Sequence, residues 1–222
     1  SLGPMMYDMF RRFLRDAGLN EKNHFTSFAE LIEQIGWESD TALGLMMVNL
    51  AMENPQIAWY VNTLDIGVYY ERKHVEEMLT SLDVKPKDAK SIVKSYKRIM
   101  ETPFGTTLNF GYFTDDENIV RLKWSMSDNR VFLYALYRFV EKCNLNREFN
   151  VSYLFDESIE RDGVSPVRLF GLYDEEELRN VLLGLSARYP NFINATYTND
   201  LQSISLRDKS SSDVLKLFEE EY

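Results

Sequence analysis

Residues 84–100, VKPKDAKSIVKSYKRIM, set five lysines and an arginine against one aspartate, in a 222-residue chain whose formal net charge is −10. Clustered cations of this kind neutralise phosphate oxygens and displace counterions from a nucleic-acid backbone. They can equally form a solvated face, so their arrangement matters more than their number. On a helical wheel, Lys87, Lys90, Lys94, Lys97 and Arg98 fall within an arc of roughly 100 degrees. Ala89, Ile92, Val93, Tyr96, Ile99 and Met100 occupy the opposite arc. An apolar arc seats such a helix and leaves the cations outward. Arg121 and Lys123, on a strand read further along the chain, are expected to point outward beside it. No Asn or Gln stands on the basic face to read a base edge, and Ser91 and Ser95 lie only at its margin. Contact with the phosphate backbone of DNA or RNA is therefore expected over strong base specificity.

No other constellation reads as chemistry. His24 and His74 are the only histidines and Cys143 the only cysteine, too few and too scattered for a structural zinc set. The two histidines read as solvated, and Cys143 as a small residue ending an apolar helix. Asp115, Asp116 and Glu117 could attract a cation, but acids at a hairpin tip more simply form a solvated turn that discourages edge pairing. Glu175, Glu176 and Glu177 suit the positive end of a helix dipole. The glycines in FGTTLNFG lack the Lys-Ser/Thr and the helix that a phosphate loop needs. No metal, cofactor or catalytic residue is expected.

An isoelectric point near 4.8 argues against nucleic-acid binding over the whole surface, so any such contact must be local. One cysteine permits no intramolecular disulfide and suggests a reducing compartment. The Asn-x-Ser/Thr triplets at Asn150 and Asn194 then read as chance matches. No apolar run approaches the roughly 20 residues that cross a bilayer, and no basic-then-apolar leader opens the chain. A soluble, cytoplasmic protein with no membrane partner is expected, its first four residues SLGP reading as an expression remnant ahead of Met5 or Met6.

The elements that would hold the basic helix follow from periodicity and punctuation. MMYDMFRRFLRDAGL reads as an amphipathic helix ended by Gly18. TSFAELIEQIG carries Ser27 and Glu30 at capping-box spacing. SDTALGLMMVNLAMEN, capped by Ser39 or Asp40, is apolar nearly all round and should be central to the core. Pro55 then opens QIAWYVNTL. After these come a short strand in DIGVYY, a helix over Glu71–Leu82, and the basic helix from Pro86 to about Glu101, which Pro103 and Gly105 break. The hairpin TTLNFGYF/NIVRLKWS follows, with TDDE as its turn and Leu108, Phe110 and Tyr112 on one face. Helix, strand, helix, turn, helix and hairpin are the order of a winged helix-turn-helix.

The second half repeats this loosely. NRVFLYALYRFVEKC is an apolar helix whose Phe132, Tyr134, Tyr137 and Phe139 need cover from the other unit or from a partner. VSYLFDES reads as a short helix, PVRLFGL as a strand, DEEELRNVLLGLSARY as a helix, and NFINATYT/LQSISLRD as a hairpin around Asn199 and Asp200. A last helix is SSDVLKLFEEEY. The predicted fold is mainly α (α+β): a helical N-terminal region and first winged-helix-like unit over 5–126, then a second unit over 127–222. The two join near Ser125 to Asp128 and are expected to pack together.

Three stretches, FAELIEQIGWESDTALGLMMVNLAMENPQIAWYV, METPFGTTLNFG and DNRVFLYALYRFVEKC, resemble the region C-terminal to the catalytic domain of large bacterial phosphoadenosine phosphosulfate reductase family proteins. SPVRLFGLYDEEELRNVLLGLSARYP and ISLRDKSSSDVLKLFEEEY look like the DUF4007 family found beside such genes. The resemblance implies an accessory module of nucleotide-activated sulfur chemistry, DNA phosphorothioation or phage defence, with a nucleotide-activating sulfurtransferase or reductase as partner. The SGGxDS-type nucleotide loop of that family is absent, so activity does not carry over. A non-enzymatic module contacting nucleic-acid backbone and docking a catalytic partner is expected; the alternative is a protein-interaction module whose basic helix meets an acidic partner.

Overall fold

The N-terminal third is a helical stack: α1 (Pro4–Asp16), a two-residue hairpin of β1 (Asn20–Glu21) and β2 (His24–Phe25), then α2 (Ser27–Ile35) and α3 (Asp40–Glu53). The computed structural model describes residues 4–156, 162–198 and 201–219. Helix α3 lacks a polar stripe, and every residue from Ala42 to Met52 is buried. Ser39 caps it by accepting from the Ala42 amide at 3.1 Å. At α2 the cap falls one residue earlier than the capping-box spacing suggests. Thr26 has the extended backbone a cap requires and accepts from the Ala29 amide at 3.1 Å, while its hydroxyl donates to the Gly18 carbonyl.

The first winged-helix-like unit runs through α4 (Pro55–Thr63), β3 (Tyr69–Glu71), α5 (Arg72–Thr80), α6 (Pro86–Met100), the short α7 (Pro103–Thr106), β4 (Gly111–Phe113) and β5 (Asn118–Arg121). Its antiparallel sheet has the order β3-β5-β4. Pro55 and Pro86 stand at the starts of α4 and α6, where a missing N–H costs nothing. The Leu108, Phe110, Tyr112 alternation breaks at its end: Leu108 and Phe110 are buried, but Tyr112 is exposed.

The second unit follows the same plan: α8 (Asn129–Lys142), β6 (Glu148–Asn150), a 3-10 turn (Val151–Leu154), α9 (Pro166–Phe170), α10 (Glu175–Arg188), β7 (Ile193–Tyr197), β8 (Gln202–Leu206) and α11 (Ser211–Glu219). Its antiparallel sheet has the matching order β6-β8-β7. The hairpin turn expected at Asn199 and Asp200, the first three residues of SLGP, and the end of VSYLFDES lie outside the described residues. PVRLFGL is a helix, not the strand its apolar run suggested. Pro166 opens α9, and Gly171 closes it in the left-handed region at φ 74°, the punctuation of a helix.

One continuous apolar core crosses both units. Helices α3 and α8 meet closely at Gly44, where an added Cβ would lie 3.0 Å from Val131 Cγ1. The aromatic residues of α8 are covered from within the chain. The Tyr134 hydroxyl donates to Asn49 Oδ1 at 2.7 Å, the Tyr137 hydroxyl donates to the Phe192 carbonyl at 2.7 Å, and Phe132 meets Phe170 edge-on. The joining segment is pinned where Ser127 donates through its amide and hydroxyl to the Asp40 carboxylate at 2.9 and 2.8 Å. Among the described residues no helix is long and apolar enough to cross a membrane.

Candidate nucleic-acid interface

Helix α6 occupies the second-helix position of the first helix-turn-helix. Its apolar arc is inserted into the core: Ala89, Ile92, Val93, Tyr96 and Met100 are buried, and the Tyr96 hydroxyl donates to the Gln56 carbonyl at 2.7 Å. This fixes the rotation of the helix, so Lys87, Lys90, Lys94 and Arg98 are all exposed along the other side. None of the four makes an ion pair among the described residues. Ser91 and Ser95 donate to the Lys87 and Ser91 carbonyls of their own helix, at 3.0 and 2.9 Å. Their hydroxyls are already directed along the backbone, a poor arrangement for reading bases.

Lys97, at the edge of the same arc, is half-buried. Its ammonium lies 3.0 Å from Glu117 Oε1 and 5.5 Å from the centre of the Phe113 ring. Glu117 sits at the wing turn between β4 and β5 and also takes Arg72 Nη1 on Oε2 at 2.5 Å. Arg72, the first residue of α5, binds Glu76 Oε1 at 3.0 Å as well. The Arg72 guanidinium and then the Lys97 ammonium hold the Glu117 carboxyl below its ordinary range. Glu117, and Glu76 after it, raise Arg72. The wing turn is thus not simply solvated: Asp115 and Asp116 are exposed, but Glu117 is tied to both helices of the motif.

The two cations expected on the wing strand are elsewhere. Arg121 is 1% exposed. Its guanidinium donates to the Val61 and Leu64 carbonyls at 2.7 and 2.9 Å and to the Arg168 carbonyl, joining the end of α4 to α9. Burial pulls its pKa down from the usual value. Strand alternation placed Arg121 outward, but Ile119, Val120 and Arg121 are buried in succession, because both faces of β5 are covered. Lys123 follows β5 and turns to the second unit, where its ammonium lies 2.6 Å from Glu177 Oε1 on α10. Of the seven expected cations, the fold brings Lys87, Lys90, Lys94, Lys97 and Arg98 together and withdraws Arg121 and Lys123.

Arg72 was missed from sequence. It lies in the charged run ERK at the start of its helix, and nothing local distinguishes it from Lys73. His24 and His74 are exposed. Among the described residues, no three His, Cys, Asp or Glu side chains are placed to share a metal ion. The chain matches no family model, no curated protein and no solved structure.

Proposed function

We propose that the chain is a non-enzymatic module that contacts the phosphate backbone of DNA or RNA through the exposed face of α6. The observation that carries this reading is the row Lys87, Lys90, Lys94 and Arg98, exposed along one side of a helix whose opposite side is buried in a helix-turn-helix. The long flexible lysines suit phosphate contact more than base readout. Arg121 and Lys123 are left out of the interface. Asp115 and Asp116 repel a polyanion from the tip of the wing, so contact runs along the helix and not over that tip.

The test is the anisotropy of a labelled duplex titrated with the full chain across a salt series. Four phosphate contacts predict a log–log salt slope of about −3 to −4. The double reversal Lys90→Glu/Lys94→Glu should abolish most of the affinity at low salt. Failure of duplex DNA, single-stranded DNA and RNA to bind at low salt refutes the reading, and unchanged affinity in the double variant removes α6 as the site.

The acidic wing beside the basic helix favours a second reading, in which α6 meets an acidic protein. Such a partner carries no condensed counterion atmosphere, and its binding should vary far less steeply with salt. In either case we propose that a nucleotide-activating sulfur enzyme docks on acidic surfaces such as exposed Glu175 and Glu176 of α10. That part of the proposal, with its link to DNA modification or defence, is supported by the sequence resemblance alone.

A further inference from the structure

A cleft of about 380 Å³ opens between α6 and the wing, lined by Arg72, Lys94, Lys97, Arg98, Glu101, and the apolar Val93 and Phe113. It gathers four cations from two helices. The neighbouring cleft across Arg72 is instead lined by Glu71, Glu76, Asp116 and Glu117 against Arg72, Lys73 and Lys90, a balance with no preference for an anion. In the first cleft, Lys94 and Arg98 have no carboxylate partner among the described residues, while Arg72 and Lys97 share one. Each contributes its charge to a different oxygen of the Glu117 carboxylate. A guanidinium and an ammonium gripping two oxygens of one anion is the arrangement that also fits phosphate.

The wing backbone sets Glu117 apart as well. Its φ is 60°, in the left-handed region where Gly or Asn is the favoured residue and other side chains are strained. The turn closes around it, with its amide donating to the Thr114 carbonyl at 3.0 Å and the Asn118 amide donating to Thr114 Oγ1 at 3.0 Å. A glutamate at this position keeps an anion at the mouth of a cationic cleft where a glycine would form the turn more easily. The carboxylate itself remains 44% exposed, so solvent and ligands reach it.

We infer that this cleft is a phosphate-binding site built from Arg72, Lys94, Lys97 and Arg98, two of whose cations, Arg72 and Lys97, are held from its edge by the chain's own Glu117 carboxylate until a phosphate group displaces it. The inference rests on the proposed function for the source of that phosphate, a strand backbone lying along α6. It adds Arg72 to the contact set and makes the wing an internal competitor. The apolar Val93 and Phe113 leave room beside the phosphate for a sugar.

The test compares the wild-type chain with Glu117→Gln, which keeps the shape and removes the charge, and Glu117→Gly, which also relaxes the left-handed turn. Either variant should bind a labelled duplex roughly tenfold more tightly at low salt, with a salt slope steeper by about one to two, since two more cations become available to phosphate. Adding Arg72→Gln to Glu117→Gln should remove about half of that gain, leaving the share of Lys97. In the wild-type chain, followed by amide NMR, inorganic phosphate should shift Phe113, Thr114 and Asn118 before any residue of α10.

Affinity for duplex and mononucleotide alike that does not rise in the Glu117 variants, a gain left undiminished by Arg72→Gln, or phosphate shifts absent from the wing would each overturn the inference. If Lys90→Glu/Lys94→Glu weakens duplex binding while the Glu117 variants change nothing, α6 stands and the displaced carboxylate falls. If the variants tighten binding of a free mononucleotide but not of the duplex, the phosphate site stands and its source is not a strand.

Discussion

Replacing Arg121 by Ala tests both its burial and its exclusion from the interface. The guanidinium donates to the carbonyls of Val61, Leu64 and Arg168. Val61 would keep a donor, since Arg168 Nε lies 2.9 Å from the same oxygen. The Leu64 and Arg168 carbonyls would lose the guanidinium that now satisfies them, and the Leu169 carbonyl would lose a longer, weaker contact at 3.4 Å. An orphaned buried acceptor costs about 1–3 kcal/mol, so the two together predict a loss of roughly 4 kcal/mol, before any cavity left by the missing stem. Arg121→Lys restores one charged donor but not the fork, and should cost about half as much.

Equilibrium urea unfolding, read by tryptophan fluorescence and far-ultraviolet circular dichroism, measures both variants. Typical domains have only about 5–15 kcal/mol in reserve, so the alanine variant should lie near the edge of stability at room temperature. At a temperature where both proteins are folded, its duplex affinity should equal that of wild type, in contrast to Lys90 and Lys94. A loss below about 1 kcal/mol, less than a single orphaned acceptor costs, would refute the burial argument. A wild-type stability with reduced duplex affinity would restore Arg121 to the interface.

Other outcomes follow from the same geometry. Tyr134→Phe removes the buried hydrogen bond to Asn49 and should cost about 1 kcal/mol by urea melt. Asn49 also donates through Nδ2 to the Ala17 carbonyl at 3.1 Å, so Asn49→Leu, which strands both that carbonyl and the Tyr134 hydroxyl, should cost about 2–4 kcal/mol. Gly111→Ala puts a Cβ 2.5 Å from the Tyr60 hydroxyl and 2.6 Å from the Val120 carbonyl at φ 153°; a drop in stability of at least about 2 kcal/mol is expected in thermal melts. Burial raises the Tyr134 phenol to about 12 from its ordinary 10.0, so the unfolded chain ionises first. Its contribution is complete below pH 10 and should fall by about 2 kcal/mol by pH 12, with phenolate absorbance rising together with loss of structure. A component of phenolate absorbance near pH 10 that is present in the folded wild type and missing from folded Tyr134→Phe would contradict that burial.

The long punctuated helices were legible because their signals are local. Pro55 and Pro86 mark starts, the α6 arcs separate on a wheel, and α3 lacks any polar side. The short elements were not. Strand β6 has three residues, Glu148–Asn150, too few for alternation to register, and α9 has five, so its apolar composition suggested a strand while its Pro and Gly ends told the truth. The fate of Arg121 was beyond local pattern altogether: alternation assumes one wet face, and whether α9 covers the other is decided more than 40 residues downstream. Glu117 illustrates the same limit at the candidate site, since a run of turn acids carries no sign that one of them closes on Arg72, 45 positions away.

Helix α11 packs against α8 and α2, with Val214 and Phe218 fully buried and Arg130 both donating to the Leu217 carbonyl at 2.6 Å and lying over the Phe218 ring. The N-terminal stack therefore receives part of its cover from the last helix described. During synthesis at roughly 5–20 residues per second, α2 must wait on the order of ten seconds for α11 to leave the ribosome. The first winged unit can assemble while the chain grows, but part of the N-terminal cover is missing until α11 has emerged, the interval in which chaperones would engage those helices.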